Sequence, residues 1–499
     1  MSTIPAGPPK ATRREWIGLA VIALPCFLYS MDLTVLNLAV PRLSEALRPS
    51  AAQLLWIIDI YGFLVAGSLI TMGTLGDRIG RRRLLLIGAA AFGAASVVAA
   101  FSRSAAMLIA TRALLGFTGA TLAPSTLSLI RNMFLDEHER RVAIGVWVTS
   151  YSVGAAIGPL VGGIVLQYFW WGAVFLIGVP VMVLLLVVGP LLLPEFRDPN
   201  AGRLDLPSAA LSLGAVLAVI YGLKRVAEHG MGWPAVAVIL AGFALGVVFV
   251  RRQRRLADPL IDIRLFQSTG FSASLVLYMV ATLVAFGAYV FIAQHLQLVL
   301  GLSPFQAGLA TVPSMLGFVL GSMLVPLIVR RVQPASVMVA GLLLAAAGYG
   351  VLAYGAGSAG LGALIAGSVI YSVGLSPVVI LATDLIVGSA PVEKAGAASA
   401  ISETSSELGG ALGIAILGSI GIAVYRSAMG NGVPAGLTPE AAEAARATLG
   451  GAVAVAKGEL LVTARAAFAR AFQLVAVISA VLVLGLTPVA GFLLGRGRR

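Results

Sequence analysis

Between positions 265 and 329 the chain runs for 65 residues without one Asp, Glu, Lys or Arg, and two further charge-free runs, 142–194 and 332–383, last 53 and 52 residues. A helix or strand on a soluble surface shows a polar face every few residues, so runs of this length have no place in one. Hydrocarbon imposes the opposite rule. A helix there satisfies its own backbone, and about 20 apolar residues cross about 30 Å. Each run therefore holds two spans and a tight turn. Single spans follow at about 16–40, 52–72, 84–102, 105–130, 206–223, 231–250, 396–424 and 471–495. Eight singles and three pairs predict fourteen membrane helices, an all-α integral membrane protein.

Composition agrees and excludes other classes. Hydrophobic residues make up 59% and charged residues 11% of 499, against about 25% charged in soluble domains. The net charge of +13 does not indicate nucleic acid, because the basic residues stand in short clusters between apolar runs. Cys26 is the only thiol, and His138, His229 and His295 are dispersed, so no disulfide, metal site or cofactor is expected. No Gly-x-x-x-x-Gly-Lys loop points to ATP. The first apolar run continues to Pro41, too long for a cleaved signal core, and the first helix is expected to be retained.

Loop charge predicts orientation, since Lys and Arg concentrate on the cytoplasmic side. With both termini cytoplasmic, inner segments hold 23 of the 34 basic residues and outer segments, Lys224 among them, hold 10. Arg112 lies within a span. The cluster Arg251, Arg252, Arg254 and Arg255 reads as an anchor to anionic lipid headgroups. The last outer loop, about 425–469, is Ala-rich and expected to be partly helical. Four Lys against 30 Arg suggest a GC-rich bacterial coding sequence, hence a bacterial cytoplasmic membrane.

An ionisable side chain in hydrocarbon costs at least about 2.5 kcal/mol and calls for a reason. Asp32, Asp59, Arg112, Glu403 and Glu407 fall within predicted spans. Glu403 and Glu407 are four apart and share one helix face. Snorkelling or a structural ion pair is one explanation. The other is chemical: a buried carboxyl beside a movable positive charge can load and release protons near neutral pH. A carboxylate that binds either a proton or a cation, never both, couples their movements as antiport. Arg112 is then the fixed countercharge for Asp32. Trp56 and Tyr61 flank Asp59 and could offer aromatic faces to a cation, although anchoring or helix packing explains them equally.

Four motifs sharpen this reading. Gly73-Thr-Leu-Gly76-Asp77-Arg78-Ile-Gly80-Arg81-Arg82 closes the loop between spans 2 and 3 and resembles the signature loop of the major facilitator superfamily. Its glycines permit a tight turn, Asp77 can bond helix ends or an arginine, and the resemblance implies a cytoplasmic gate latch. The segment from Met31 and Asp32 through Thr34, Asn37 and Ala39 to Pro41 resembles the first-helix motif of the fourteen-helix drug:proton antiporters. Arg112-Ala-Leu-Leu-Gly116-Phe-Thr-Gly119 resembles their fourth-helix motif, whose arginine takes part in proton transfer. Gly154-Ala-Ala-Ile-Gly158-Pro159-Leu-Val-Gly162-Gly163 resembles their antiporter motif, with one small-residue face for close packing and a proline that can bend the helix. Further matches are Trp56 to Tyr61, Asp258 to Phe266, Leu302 to Gly308 and Glu403 to Gly409, so the resemblance covers nearly the whole chain and is nearest to QacA-type exporters of quaternary ammonium compounds and dyes.

The resemblance implies two six-helix bundles around a midplane cavity that opens alternately to either side. The expected boundaries are 1–200 for the first bundle, 201–255 for an inserted helix pair, and 256–499 for the second bundle. It further implies proton coupling at Asp32, Arg112 and Glu407, and cation binding at Asp59, Glu403, Glu407, Trp56 and Tyr61. The expected partners are cationic drugs, protons and lipids, in a monomer driven by the proton motive force. Phe318 stands where some relatives that handle divalent cations well carry an acid, which leaves dicationic drugs an open question for this chain. Competing readings are an antiporter for an endogenous metabolite or self-made antibiotic, proton-coupled nutrient import, and, from another class, a membrane enzyme or sensor.

Overall fold

The computed structural model describes residues 10–197, 205–256, 259–261, 263–358, 360–388, 395–430, 438–455 and 458–496. Asp258, Asp262, Lys394 and Lys457 lie outside them, as do the side chains of His138 and His229. The first half comprises α1 (Arg13–Leu47), α2 (Ala51–Ile79), α3 (Arg81–Ala100), α4 (Ala105–Gly119), α5 (Leu122–Met133), α6 (Glu137–Tyr168), α7 (Ala173–Leu176) and α8 (Val179–Leu192). The inserted pair is α9 (Leu206–His229) and α10 (Trp233–Gln253). The second half comprises α11 (Thr269–Gln294), α12 (Pro304–Ile328), α13 (Pro334–Ser358), α14 (Leu361–Gly388), α15 (Ala395–Met429), α16 (Pro439–Ala447), α17 (Leu449–Val455), α18 (Glu459–Gly485) and α19 (Thr487–Arg496).

Thirteen helical segments among the described residues are long and apolar enough to cross a membrane. The 32-residue α6, which holds the apolar stretches Val142–Tyr151 and Ile157–Tyr168, makes the fourteenth crossing. Local sequence sets the helix starts. Thr12 with Glu15, Ser50 with Gln53, and Ser303 with Gln306 form capping boxes that satisfy the first backbone donors of α1, α2 and α12. At Gly80, φ is +110°, a value other side chains rarely adopt, and this allows α2 to turn directly into α3.

Three predicted elements are divided differently. The span 105–130 is two helices, because the chain bends at Ala120 and Thr121, where the Thr121 hydroxyl donates to the Thr118 carbonyl at 2.7 Å and its side chain fills the space beside Gly88. The last span begins earlier than expected, at Glu459, and breaks between Gly485 and Thr487. The described part of the expected 425–469 loop is largely helical and partly buried. Tyr425 donates to the Ala445 carbonyl at 2.9 Å, and Gly450 of α17 faces Ser44 at the end of α1.

Within each half the strongest packing pairs are α1 with α6, α2 with α4, α13 with α14, and α11 with α15. Across the halves α2 packs on α15 and α6 on α12, while α9 touches both α2 and α15. The close glycine contacts between halves lie at mid-depth or toward the end opposite the Gly80 turn: Gly62 on Ala411, Leu55 on Gly418, Gly308 on Pro159, and Gly163 on Pro304. Only 22% of the span in α9 and 11% of that in α10 is buried, which leaves this inserted pair facing lipid over most of its surface. Among the described residues, His295 is fully buried in a π-helical turn against Phe468 and Phe472, and neither ring nitrogen has a hydrogen-bond partner.

Candidate functional site: four membrane carboxylates and two internal cations

The two membrane-embedded acids of the first half, Asp32 and Asp59, each have a cation of their own. Arg112 on α4 donates from Nη1 to Asp32 Oδ2 at 2.6 Å and from Nε to the Ile57 carbonyl at 3.2 Å. Its guanidinium lies over the Tyr61 ring at 4.5 Å and near that of Phe175 at 5.8 Å. Arg112 is 1% exposed, whereas the Asp32 side chain keeps 18%. The pair is therefore open on the carboxylate side only. This is the juxtaposition expected for Asp32 and Arg112.

Asp59 has a different partner from anything the sequence suggested. Lys224 of α9, assigned to an outer loop by hydropathy, lies inside the protein at 1% exposure, with Nζ 2.8 Å from both Asp59 oxygens. The ammonium also sits 3.6 Å from the centre of the Trp56 ring. Trp56 and Asp59, one turn apart on α2, thus form a carboxylate-and-aromatic box already filled by an internal cation. Phe63, Ile220, Ala411 and Ala415 surround this corner with apolar packing. The one sequence signal for Lys224 is its rarity at the edge of an apolar run.

The acids of α15 are placed otherwise. Glu407 is 7% exposed and accepts a hydrogen bond from the Tyr151 hydroxyl of α6 at 3.0 Å. Glu403, one turn away, has no hydrogen-bond or ion-pair partner among the described residues. Among the described residues, no Lys or Arg pairs with either acid. Tyr151 and Tyr29, which sequence reasoning did not single out, lie near Glu407 with ring centres 5.8 Å apart and planes tilted by 39°. Tyr61 lies 6.0 Å beyond Tyr29.

Around this centre the two glycine motifs do separate tasks. In α6, Gly154 and Gly158 bring the helix against α1 at Phe27, Met31 and Thr34, so a side chain at either position would collide with α1. Gly162 faces Val35, and Gly163 faces Pro304 of α12, while Pro159 presents its carbonyl to Gly308. One face of the motif thus packs within the first half and the other reaches the second. An apolar hollow of about 530 Å³ opens between the Gly80-side halves of α1 and α6, walled by Leu24, Phe27, Val142, Val146 and Val153.

The turn containing Gly73, Gly76, Asp77, Arg78, Gly80 and Arg81 is tied within the first half. Arg81 pairs with Asp77 at 2.5 Å and reaches the Pro124 carbonyl at 3.4 Å. Glu195, which the sequence did not single out, accepts from the Arg82 amide at 3.1 Å and packs against Gly80, where a side chain would clash. Arg82 also donates to the carbonyls of Leu193 at 2.9 Å and Pro190 at 3.2 Å, closing the ends of α3 and α8. Arg78 is exposed. In the inserted pair, Arg252 bonds Asp205 at 2.9 Å.

Two helical halves around buried charges, with an inserted pair at the seam, define a multi-pass membrane carrier rather than an enzyme. Residues 22–414 match the model of the Major Facilitator Superfamily, and the chain belongs to that family. It is 46% identical over 501 residues to the multidrug efflux pump LfrA of Mycolicibacterium smegmatis, covering 98% of this chain and 99% of that protein. It is 38% identical to the methyl viologen resistance protein SmvA of Salmonella typhimurium, with 89% of each chain covered. The tetracenomycin C resistance and export protein of Streptomyces glaucescens is 33% identical over 81% of this chain and 76% of its own. Among solved structures, an inward-facing bacterial homologue of the lysosomal transporter Spinster superimposes with a TM-score of 0.68 at 18% identity, covering 96% of this chain and 97% of that one. That likeness concerns the fold.

Proposed function

We propose that this transporter exports lipophilic organic cations in exchange for protons, from the cytoplasm or inner leaflet of a bacterial membrane, with both termini cytoplasmic. The observation that carries the reading is the charge inventory at mid-membrane. Asp32 and Asp59 have their own cations, while among the described residues Glu403 and Glu407 have none. An unpaired carboxylate in a poorly hydrated site is neutralised by a proton or by a guest cation, and the two compete. A cation at Glu407 meets the faces of Tyr29 and Tyr151, which a quaternary ammonium or a planar dye uses through cation–π attraction. The apolar hollow between α1 and α6 gives a greasy guest a path from the Gly80 side. The basic clusters at that side support its cytoplasmic placement.

Proteoliposomes with an imposed pH gradient test this. Ethidium and tetraphenylphosphonium should accumulate against their gradient only when the proton gradient is present, and Glu407→Gln should reduce the rate at least about tenfold. Equal transport with and without the gradient would overturn the proton coupling. A second reading, export of a self-made or endogenous compound, is favoured by the relatives that carry tetracenomycin C or are described as a probable actinorhodin transporter. Transport of neutral polyketides with no competition from ethidium would support it. Methyl viologen, which carries two charges, tests the question that Phe318 raises about dicationic drugs.

A further inference from the structure

The two halves carry their charges on different sides of the seam, and a chemical connection between them is visible. The Arg112 guanidinium lies 4.5 Å from the centre of the Tyr61 ring. Tyr61 is 6.0 Å from Tyr29, Tyr29 is 5.8 Å from Tyr151, and the Tyr151 hydroxyl donates to Glu407 at 3.0 Å. Four helices of the first half, α4, α2, α1 and α6, supply this series, and its last bond crosses to α15 of the second half. Tyr29 and Tyr61 are 3% and 0% exposed, so no bulk water screens the interior of the series.

We propose that Tyr61, Tyr29 and Tyr151 couple the Asp32–Arg112 pair to Glu407, and that Tyr151 is the positioning residue that sets when Glu407 holds a proton. The last step, competition of that proton with a cation, rests on the function proposed above. Physically, Tyr151 stabilises the ionised carboxylate because a hydroxyl donor favours the charged acceptor. Neutralising or moving Arg112 changes the field on Tyr61, whose hydroxyl has no hydrogen-bond partner among the described residues, and the change passes to Tyr29 and Tyr151 through neighbouring rings rather than through a chain of hydrogen bonds. The groups within electrostatic reach of Glu407 are Glu403 on its own helix, Tyr29 of α1, Tyr61 of α2, Tyr151 of α6 and Tyr278 of α11. None is a cation. The nearest positive charge along the series is therefore Arg112, behind Tyr61. The Tyr151–Glu407 bond joins α6 to α15, so when the halves part it breaks, and Glu407 loses one hydroxyl donor that favours its charged form.

Coupling between sites needs a coupling measurement rather than a line of contacts. The carboxyl stretch of the purified full-length protein, followed by infrared spectroscopy from pH 4 to 10 without any drug, provides one, with the Glu407 band identified by its loss in Glu407→Gln. Tyr151→Phe removes only the hydroxyl, and the Glu407 midpoint should rise by about one to two pH units, since one donor to a charged acceptor is lost. Asp32→Asn should also move the midpoint in wild type, and this second shift should vanish in a Tyr29→Leu background. A midpoint unmoved by Tyr151→Phe, a full Asp32→Asn shift in Tyr29→Leu, or no band lost in Glu407→Gln would each overturn the proposal. Because no drug is present, a protein that titrates as described yet transports no cation would overturn the proposed function and leave the coupling standing.

Discussion

The acids of α1 and α2 and the acids of α15 are the same chemistry in opposite electrostatic situations. Asp32 and Asp59 are held by Arg112 and Lys224, each of those cations buried and pressed on an aromatic ring. Glu407 has the phenols of Tyr151 and Tyr29 against it, and neither it nor Glu403 has a cation among the described residues. A buried pair that loses one member leaves an uncompensated charge, which costs about 3–5 kcal/mol, whereas neutralising an acid that has no partner removes a cost already present. The first half therefore behaves as fixed electrostatic scaffold around one partly open acid. The second half offers negative charge that something mobile must answer.

The largest test of that contrast is Lys224→Met. It strands Asp59 in an apolar corner, and unfolding in detergent should show a loss of about 3–5 kcal/mol. Adding Asp59→Asn should restore most of the loss, because a neutral pair carries no stranded charge. A Lys224→Met protein as stable as wild type would place the pair among ornaments of the packing. Asp32→Asn comes next. It strands Arg112, but Asp32 keeps 18% exposure, so solvent screens part of the effect and a smaller loss of about 2–3 kcal/mol is expected. Proton-driven transport should nonetheless disappear, and full activity in this variant would remove Asp32 from the coupling.

These pairings also mark where sequence reasoning stops. The spans, the Gly80 turn, the glycine face of α6 and all four acids were legible, because hydropathy and charge are properties of single positions and short windows. Partners were not, since Asp59 and Lys224 are 165 positions apart and Tyr151 and Glu407 are 256 apart. Which side chains meet over such separations depends on the rotation of each helix about its axis, which several neighbours fix together. Lys224 was assigned to solvent because the apolar run stops beside it, yet α9 continues to His229 and carries it inward. The break at Ala120 has a signal that hydropathy does not read: Pro124, in the first turn of α5, has no amide to bond the Ala120 carbonyl four residues earlier. Arg112 was the one basic residue within a predicted span, but four acids shared that depth, and its pairing with Asp32 followed from the motifs that contain them rather than from charge counting; the structure brings the two to 2.6 Å.

Trp56→Leu isolates the aromatic share of the scaffold. With Lys224 still bonded to Asp59, only the ring face at 3.6 Å is lost, so the expected destabilisation is about 1–2 kcal/mol, with no change in proton dependence. If Trp56 binds cargo instead of covering Lys224, the apparent affinity for ethidium should fall in this variant while stability holds. Measuring both quantities on one preparation separates the two roles.

The smallest stability effect belongs to the variant with the greatest consequence for transport. Glu407→Gln keeps the shape of the side chain and leaves its carbonyl oxygen to accept from Tyr151, while the charge disappears from a site that has no cation. Thermal unfolding should change by no more than about 1 kcal/mol, and in the stabilising direction if the acid is ionised at the pH of the measurement. Cation export should fall at least about tenfold in the same preparation. A marked loss of stability would mean that Glu407 already has a charge partner, which would erase the difference between the two halves. Stability and transport moving in opposite directions at Glu407, and falling together at Asp32, is the pattern that a fixed first half and a guest-dependent second half require.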